Sequence, residues 1–399
     1  MVIALISLGC PKNQVDADVM CHALLERGHT TTADLSEADA IIVNTCGFIE
    51  SAKQEAIDSI LEACSYKEQK PELKVVVTGC LAQRYQHEIV KEIPEVDAVV
   101  GLGSNAAICS ILERLTGTQP VESYGAKESL PLGGKRVIST PRHYAYLKIA
   151  EGCNNRCHYC AIPLIRGPLR SRTIPDIVAE ARFLAGEGVK ELIVVAQDIT
   201  AFGADRGRVE IAELLDALNA VEGIEWIRLL YAYPERITDA FIAAMTRNEK
   251  VLHYLDVPIQ HINSEMLRAM NRRGDRAGRA DASARCHAGH HAAYHAHHGI
   301  SGRDAGPVRR IVRICQGLCV RPLGLFCVQR GRGHGGGRAA SAAAGAARAA
   351  RRGRHEHPGE RDGAQAGGKG GPHRAGHLRR LRRRKRPVYL PHPRRCPRY

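Results

Sequence analysis

Short apolar runs alternate with amphipathic stretches along the first two-thirds of the chain. VIALIS (2–7), AIIVN (40–44), KVVVT (74–78) and VDAVV (96–100) are separated by helical patterns at Gln14–Arg27, Ile49–Cys64, Gln83–Ile93 and Asn105–Leu115. Near-continuous apolar runs predict strands buried on both faces, the signature of a parallel sheet covered by helices. Residues 116–142 carry Gly117, Pro120, Gly125, Pro131, Gly133 and Gly134 and read as a linker. A second series follows: YAYLKIA (144–150), ELIVVAQDI (191–199), WIRLLYAYP (226–234) and HYLDVPIQH (253–261), with helices at Pro175–Gly186, Glu210–Val221 and Asp239–Arg247. The expected fold class is α/β: an N-terminal parallel-sheet domain over 1–115, then a partial (β/α) barrel over 143–273.

After about Gly274 the pattern changes. Gly, Ala, Arg, His and Pro dominate, twelve of the nineteen histidines fall there, and only 311–329 keeps enough apolar residues for a short element. From Asp275 onward there are 26 Arg and 2 Lys against 6 acidic residues, which leaves 29 basic and 36 acidic residues before it. The overall net charge of +15 therefore belongs to the tail, and the preceding part is acidic by 7. Such a composition buries too little surface to offset chain entropy, so 274–399 is expected to be irregular or disordered. An arginine-rich nucleic-acid arm and a histidine metal tract are two readings. The abruptness favours a third, a GC-rich gene read in a shifted frame. On that reading Cys286, Cys315, Cys319, Cys327 and Cys396 carry no chemistry, and the barrel stops after four readable strands.

The chain has fourteen cysteines and no run of eighteen apolar residues, so no membrane span is expected. Its N-terminus reads as a first strand, without a charged leader or cleavage site. Cysteines without an export signal point to metal or redox chemistry in a reducing cytoplasm. Cys153, Cys157 and Cys160 lie within eight residues, EGCNNRCHYC, so one loop can aim three thiolates at one point. That set suits an iron–sulfur cluster with one iron left open. A zinc site would need a fourth ligand, for which His158 is the candidate. Cys10, Cys46 and Cys80 each sit just beyond an apolar run, and would converge at the carboxyl edge of a parallel sheet if their strands are neighbours. Gly9 and Gly79 would let the backbone turn closely there. The alternative is that cysteine is common in buried strands. Cys21, Cys64 and Cys109 lie on predicted helices and read as packing residues.

CxxxCxxC with Tyr159 before its last cysteine resembles the signature of radical S-adenosylmethionine (SAM) enzymes. With the second triplet, and with SLGCPKN (7–13), VNTCGFI (43–49), TGCLAQRY (78–85), AQDITAFGAD (196–205) and DVPIQHIN (256–263), residues 1–273 resemble the methylthiotransferases of that superfamily. The resemblance implies two 4Fe-4S clusters. One, on Cys153, Cys157 and Cys160, binds S-adenosyl-L-methionine at its fourth iron with Tyr159 near the adenine. An auxiliary cluster falls on Cys10, Cys46 and Cys80. Gln197, Asp198 and Gln260 fall where strand ends face the barrel mouth and would meet SAM or substrate. In that family one electron splits SAM to a radical that takes hydrogen from an unreactive carbon, and the resemblance implies that a second SAM supplies the methyl of the transferred methylthio group.

GCPKN and RGPLRSR are similar to the forms in members that modify the β-carbon of an aspartate of ribosomal protein S-12. The tRNA-modifying members, which make 2-methylthio-adenosine, usually show a GCQMN-like run. An acidic folded region fits a basic protein substrate better than tRNA, so direct nucleic-acid binding by it is not expected. The implied partners are ribosomal protein S-12 and a reducing electron donor such as flavodoxin or ferredoxin. Members of the family end in a small β domain, TRAM, which is not recognisable in 274–399, so the chain as written is expected to turn over poorly. Two rivals from other classes are a non-catalytic iron–sulfur electron carrier, which needs a fourth ligand at each triplet, and an RNA-binding protein working through its arginine-rich tail.

Overall fold

In the computed structural model, strand β1 (Val2–Ser7) leads through helix α1 (Pro11–Glu26) to β2 (Thr30–Thr32) and β3 (Ala40–Thr45). Then come α2 (Glu50–Ser65), β4 (Lys74–Gly79), α3 (Cys80–Tyr85), α4 (His87–Glu92), β5 (Ala98–Val100), α5 (Ile108–Glu113) and β6 (Val121–Ser123). The structure describes residues 1–115, 119–261 and 264–272, and the backbone of 291–298 and 322–327. The described residues fall within one compact unit, Met1–Gly353.

The first sheet has the order β2-β1-β3-β4-β5-β6, with every pairing parallel. Alternate residues feed two cores. Ile41, Val43, Val75 and Val77 join Ala56 and Ile60 of α2 on one face, while Ile42 and Val76 join Met20 and Leu24 of α1 and Ile108 of α5 on the other. Burial on both faces explains why these strands read as unbroken apolar runs. The single helix expected over Gln83–Ile93 is two, α3 and α4, broken at Gln86 with φ 42°. Gly79, at φ 91°, turns the chain straight out of β4, so α3 begins earlier than the apolar period suggests.

The expected linker is partly structural: β6 extends the first sheet, and Arg136 is an interdomain clamp. The residue is 4% exposed, and its guanidinium pairs with Asp18 of α1 at 3.0 Å and with Glu180 at 2.8 Å.

The second series of elements comprises β7 (Tyr144–Lys148), β8 (Ala150–Glu151), α6 (Ile162–Arg166), β9 (Arg170–Ser171), α7 (Ile174–Gly186), β10 (Glu191–Val195), α8 (Ile211–Asn219), β11 (Trp226–Leu229), α9 (Asp239–Arg247), β12 (Val251–Gln260) and α10 (Ser264–Ala269). Helices start where the sequence supplies caps: Thr173 accepts from Asp176 N before α7, and Thr238 from Phe241 N before α9. Strands β7, β10, β11 and β12 are parallel neighbours, packed on α7, α8 and α9 through Leu147, Ile177, Leu184, Leu192, Leu214 and Phe241.

This sheet goes beyond the four strands that the sequence predicts. His291–His298 (β13) and Pro322–Cys327 (β14) continue it in parallel, giving the order β14-β13-β12-β11-β10-β7. The edge of β12 presents unpaired amides and carbonyls, and a backbone ladder can satisfy them without any particular side-chain pattern. A histidine-rich segment therefore takes strand form although its composition gives no strand signal, and β14 falls inside the apolar stretch at 311–329. The sheet is an open, partial barrel. The remaining expectations for 274–399, including irregularity and the roles of Cys286, Cys315, Cys319 and Cys396, lie outside the described residues. Among the described residues no helix is long and apolar enough to cross a membrane.

Replacing Arg136 by Met removes the ion-pair partner of the buried Asp18 and leaves Glu180 to Arg172 alone, and breaking a buried ion pair costs about 3–5 kcal/mol. Urea unfolding of Arg136→Met is expected to show a loss in that range, whereas removing the exposed Lys190–Glu225 pair (3.1 Å) should change little.

Candidate functional site

Because β1, β3 and β4 are adjacent, Cys10, Cys46 and Cys80 share one sheet edge. Cys10 precedes α1, Cys46 directly follows β3, and Cys80 opens α3. The order β2-β1-β3 places Cys10 and Cys46 on either side of the position where the sheet reverses its winding, a common ligand-binding crevice in such folds. Glycine makes the approach possible. A Cβ on Gly9 would lie 2.6 Å from Cys46 Cβ, and one on Gly79 would lie 2.4 Å from Thr45 O. The sulfurs sense one another: Cys10 and Cys46 both raise the Cys80 thiol, although burial is the larger cause of its rise to about 12. Burial likewise raises Cys46.

The second triplet lies on the loop 152–169, whose base is closed by the antiparallel pair β8–β9. Gly152 has φ 77°, and a Cβ there would lie 1.9 Å from Pro168 O. Cys153 N donates to Gly167 O at 3.1 Å and Cys160 N to Cys157 O at 3.0 Å. Burial pushes the Cys153 thiol up to about 11 and Cys160 to about 12, and the neighbouring sulfurs add to both shifts. Thiolates form at such sites only with positive charge at hand, and a metal centre would release protons on binding.

Among the described residues, no three His, Cys, Asp or Glu side chains close around a point small enough for one metal ion. A zinc site would need that compactness. His158 is exposed, its backbone N–H donates to Met270 O at 3.0 Å and its Nδ1 lies 2.8 Å from Ala269 O. Three thiolates carried on one loop suit a four-iron cube, in which each cysteine takes a different corner.

Tyr159 packs against Leu267 and Met270, beside α10. Asp198 accepts from Thr200 N (3.0 Å), Asn155 Nδ2 (3.0 Å) and Arg236 Nη1 (2.6 Å). Its carboxylate is thus occupied in holding Asn155 of the cysteine loop. Gln197 donates to Glu151 while its buried Oε1 has no protein partner. Gln260 ends β12 in the left-handed region, at φ 64°, with its Oε1 likewise buried and unpartnered. These two amide oxygens have hydrogen-bonding capacity to spare.

Sequence reasoning missed the charged cluster between the triplets. Lys148 Nζ bonds Glu151 at 3.1 Å and also Asp16, while Arg166 Nη1 reaches Asp16 at 2.9 Å and Glu151 at 2.8 Å. Arg166 Nη2 reaches Cys80 Sγ at 3.4 Å and Asn13 Oδ1 at 3.2 Å. All five residues named with Arg166 here are buried. Burial would raise the Glu151 carboxyl, but Arg166 and Lys148 outweigh it and hold it ionised. Lys12, 7% exposed, sits 3.7 Å over the Tyr231 ring and 3.5 Å from Ala196 O, its ammonium disfavoured by burial. The available signal was Lys148 and Glu151 interrupting an otherwise apolar strand run. At the other triplet Arg272 Nη1 lies 3.9 Å from Cys157 Sγ, with its guanidinium 3.8 Å over Tyr233.

Comparison with known proteins gives a relationship for each half of the chain. Residues 147–313 match the radical SAM superfamily, and residues 2–101 match a family described as uncharacterized protein family UPF0004. The fold is shared with the radical SAM methyltransferase TsrM from Kitasatospora setae (TM-score 0.63, 14% identity, 82% of this chain and 72% of that one). It is also shared with the cobalamin-dependent SAM radical enzyme OxsB (TM-score 0.54, 10% identity, 77% and 51%). The chain is thus a radical SAM protein carrying an N-terminal UPF0004 domain. Within that superfamily, relatives of this chain are named as methylthiotransferases. It is 50% identical over 285 residues to ribosomal protein uS12 methylthiotransferase RimO of Acetivibrio thermocellus (69% of this chain, 63% of the relative). It is 48% identical over 277 residues to the protein of that name in Clostridioides difficile (68% and 62%). The chain accordingly spans a little over three-fifths of the length of these relatives.

Of the cysteines expected to serve packing, Cys64 is buried in the first core and burial pushes its thiol up to about 12. Little thiolate therefore forms there near neutral pH. Iodoacetamide labelling of the native iron-free chain, read by peptide mass spectrometry, is expected to modify Cys64 at least about a hundredfold more slowly than in urea.

Proposed function

We propose that this chain is a radical SAM methylthiotransferase that adds a methylthio group to the β-carbon of an aspartate of ribosomal protein uS12. The observation that carries the reading is the pair of cysteine triplets, each at the carboxyl ends of parallel strands and joined by one buried ion cluster. The names of the relatives support the substrate. Cys153, Cys157 and Cys160 would hold the cluster that binds SAM, and Cys10, Cys46 and Cys80 the auxiliary cluster. Bound there, cluster and SAM supply the one-electron chemistry needed to take hydrogen from an unactivated carbon.

The chain's own residues provide orientation. Asp198, Asn155 and Arg236 fix the cysteine loop, Tyr159 of that loop, packed beside α10, offers an aromatic wall for an adenine, and the free oxygens of Gln197 and Gln260 are acceptors for SAM or substrate. A flavodoxin- or ferredoxin-type donor in the cytoplasm would deliver the electron. The domain organisation belongs to the same proposal: methylthiotransferase domain 1–115, linker 116–142, radical SAM core 143–273, and a tail 274–399 read in a shifted frame. The composition change after Gly274 supports the last point, and backbone pairing in β13 and β14 is compatible with either frame.

Anaerobic reconstitution tests the chemistry: the parent is expected to cleave SAM reductively and Cys153/Cys157/Cys160→Ser to lose that cleavage. Equal cleavage by both would refute the proposal. Mass spectrometry of uS12 and of tRNA from a strain lacking the gene assigns the substrate. Loss of the aspartate modification is expected, and loss of 2-methylthio-adenosine instead would point to the tRNA reading. Sequencing the gene around codon 274 is expected to reveal a one-base change that restores an apolar β/α pattern, with turnover by the 399-residue chain correspondingly poor. An intact frame would refute the shift.

A further inference from the structure

We propose that Arg166 is the positioning residue of the sulfur site at Cys10, Cys46 and Cys80, fixing Cys80 and tying that site through Glu151 to the loop of the other triplet. The inference rests on the reading that both triplets hold iron–sulfur clusters.

Arg166 is 1% exposed and ends α6, where Gly167 turns away at φ 77°. One planar fork meets four acceptors from three elements: Asn13 and Asp16 of α1, Cys80 of α3 and Glu151 of β8. Only a guanidinium can satisfy that arrangement, since an ammonium is a point donor without the fork. Glu151 Oε1 in turn accepts from Gly152 N at 3.3 Å and from Gln197 Nε2. An unbroken hydrogen-bonded path therefore runs from Cys80 Sγ to the residue preceding Cys153.

The geometry of the fork makes the case that this is more than a structural tie. Asp16 and Glu151 already balance Lys148 and Arg166, so the ion pairs close neutral without any sulfur. One arm of the Arg166 fork nevertheless leaves the carboxylates and turns to Cys80 Sγ, at 3.4 Å. Its guanidinium lies within electrostatic reach of both Cys80 and Cys10. Anionic sulfur is the partner that arm is placed to meet. Hydrogen bonds and positive charge at cluster sulfurs favour the more reduced state and raise its potential, and such outer partners also hold the first ligands in place.

The test uses the 399-residue chain with Cys153, Cys157 and Cys160 replaced by Ser, so that bound iron and the paramagnetic resonance signal come from the other triplet alone. Into it go Arg166→Met and Arg166→Lys, reconstituted anaerobically. Arg166→Met is expected to lose iron to a chelator about tenfold or more faster, as outer-shell changes do, and to keep its residual cluster at a lower potential. Arg166→Lys keeps the charge and is expected to recover iron retention but not the parent's signal and potential, which a purely structural role would leave unmoved. Retention, potential and signal all equal to the parent in the Lys variant, or in a folded Met variant, would overturn the inference. Should the triple-Ser parent itself take up no cluster, the underlying reading of the Cys10, Cys46 and Cys80 triplet fails instead.

Discussion

The docking of the two sheets depends on a handful of charges removed from water. Asp16 on α1, Lys148 at the end of β7, Glu151 on β8 and Arg166 on α6 are each 5% exposed or less and interlock through four ion pairs. Desolvating such groups is expensive, and their mutual attraction repays it only when every partner is in place. The cluster therefore tolerates one relative placement of the domains, as Arg136 does further along α1. An apolar seam of similar size would hold the halves together equally well but would leave sliding registers available.

That single placement ties the two cysteine loops together through Arg166, Glu151 and Gly152. The first triplet exists because β1, β3 and β4 are neighbours; the second because a β8–β9 pair pinches off a loop at the mouth of the other sheet. Neither brings a fourth cysteine on the residues described, and each has an arginine at one sulfur: Arg166 at Cys80 and Arg272 at Cys157. Open coordination beside fixed positive charge is the combination that redox and group-transfer chemistry at a cluster uses. The protein supplies placement and electrostatics, and the cofactors supply reactivity.

Much of this was legible in the chain itself. Apolar runs buried on two faces announce parallel strands, so both α/β series, the bounds of α9 and the position of each cysteine at a strand end follow from local pattern. The spacing of Cys153, Cys157 and Cys160 is likewise local, because a single short loop sets it. Which strands are neighbours is a matter of topology, so the convergence of Cys10, Cys46 and Cys80 was conditional until the sheet order was known.

What only the tertiary structure decided are the pairings across long sequence separations. Arg166 and Cys80 are 86 residues apart and Arg136 and Asp18 are 118 apart. No periodicity encodes such partners, since a charged residue in a strand reads the same whether it faces solvent or a buried carboxylate. The outer strands β6, β13 and β14 belong with them. Their place is set by unpaired backbone groups on an adjoining strand, and backbone hydrogen bonding leaves almost no trace in side-chain sequence. Sequence determined the elements and the thiolate chemistry; the fold determined which charges those thiolates would face.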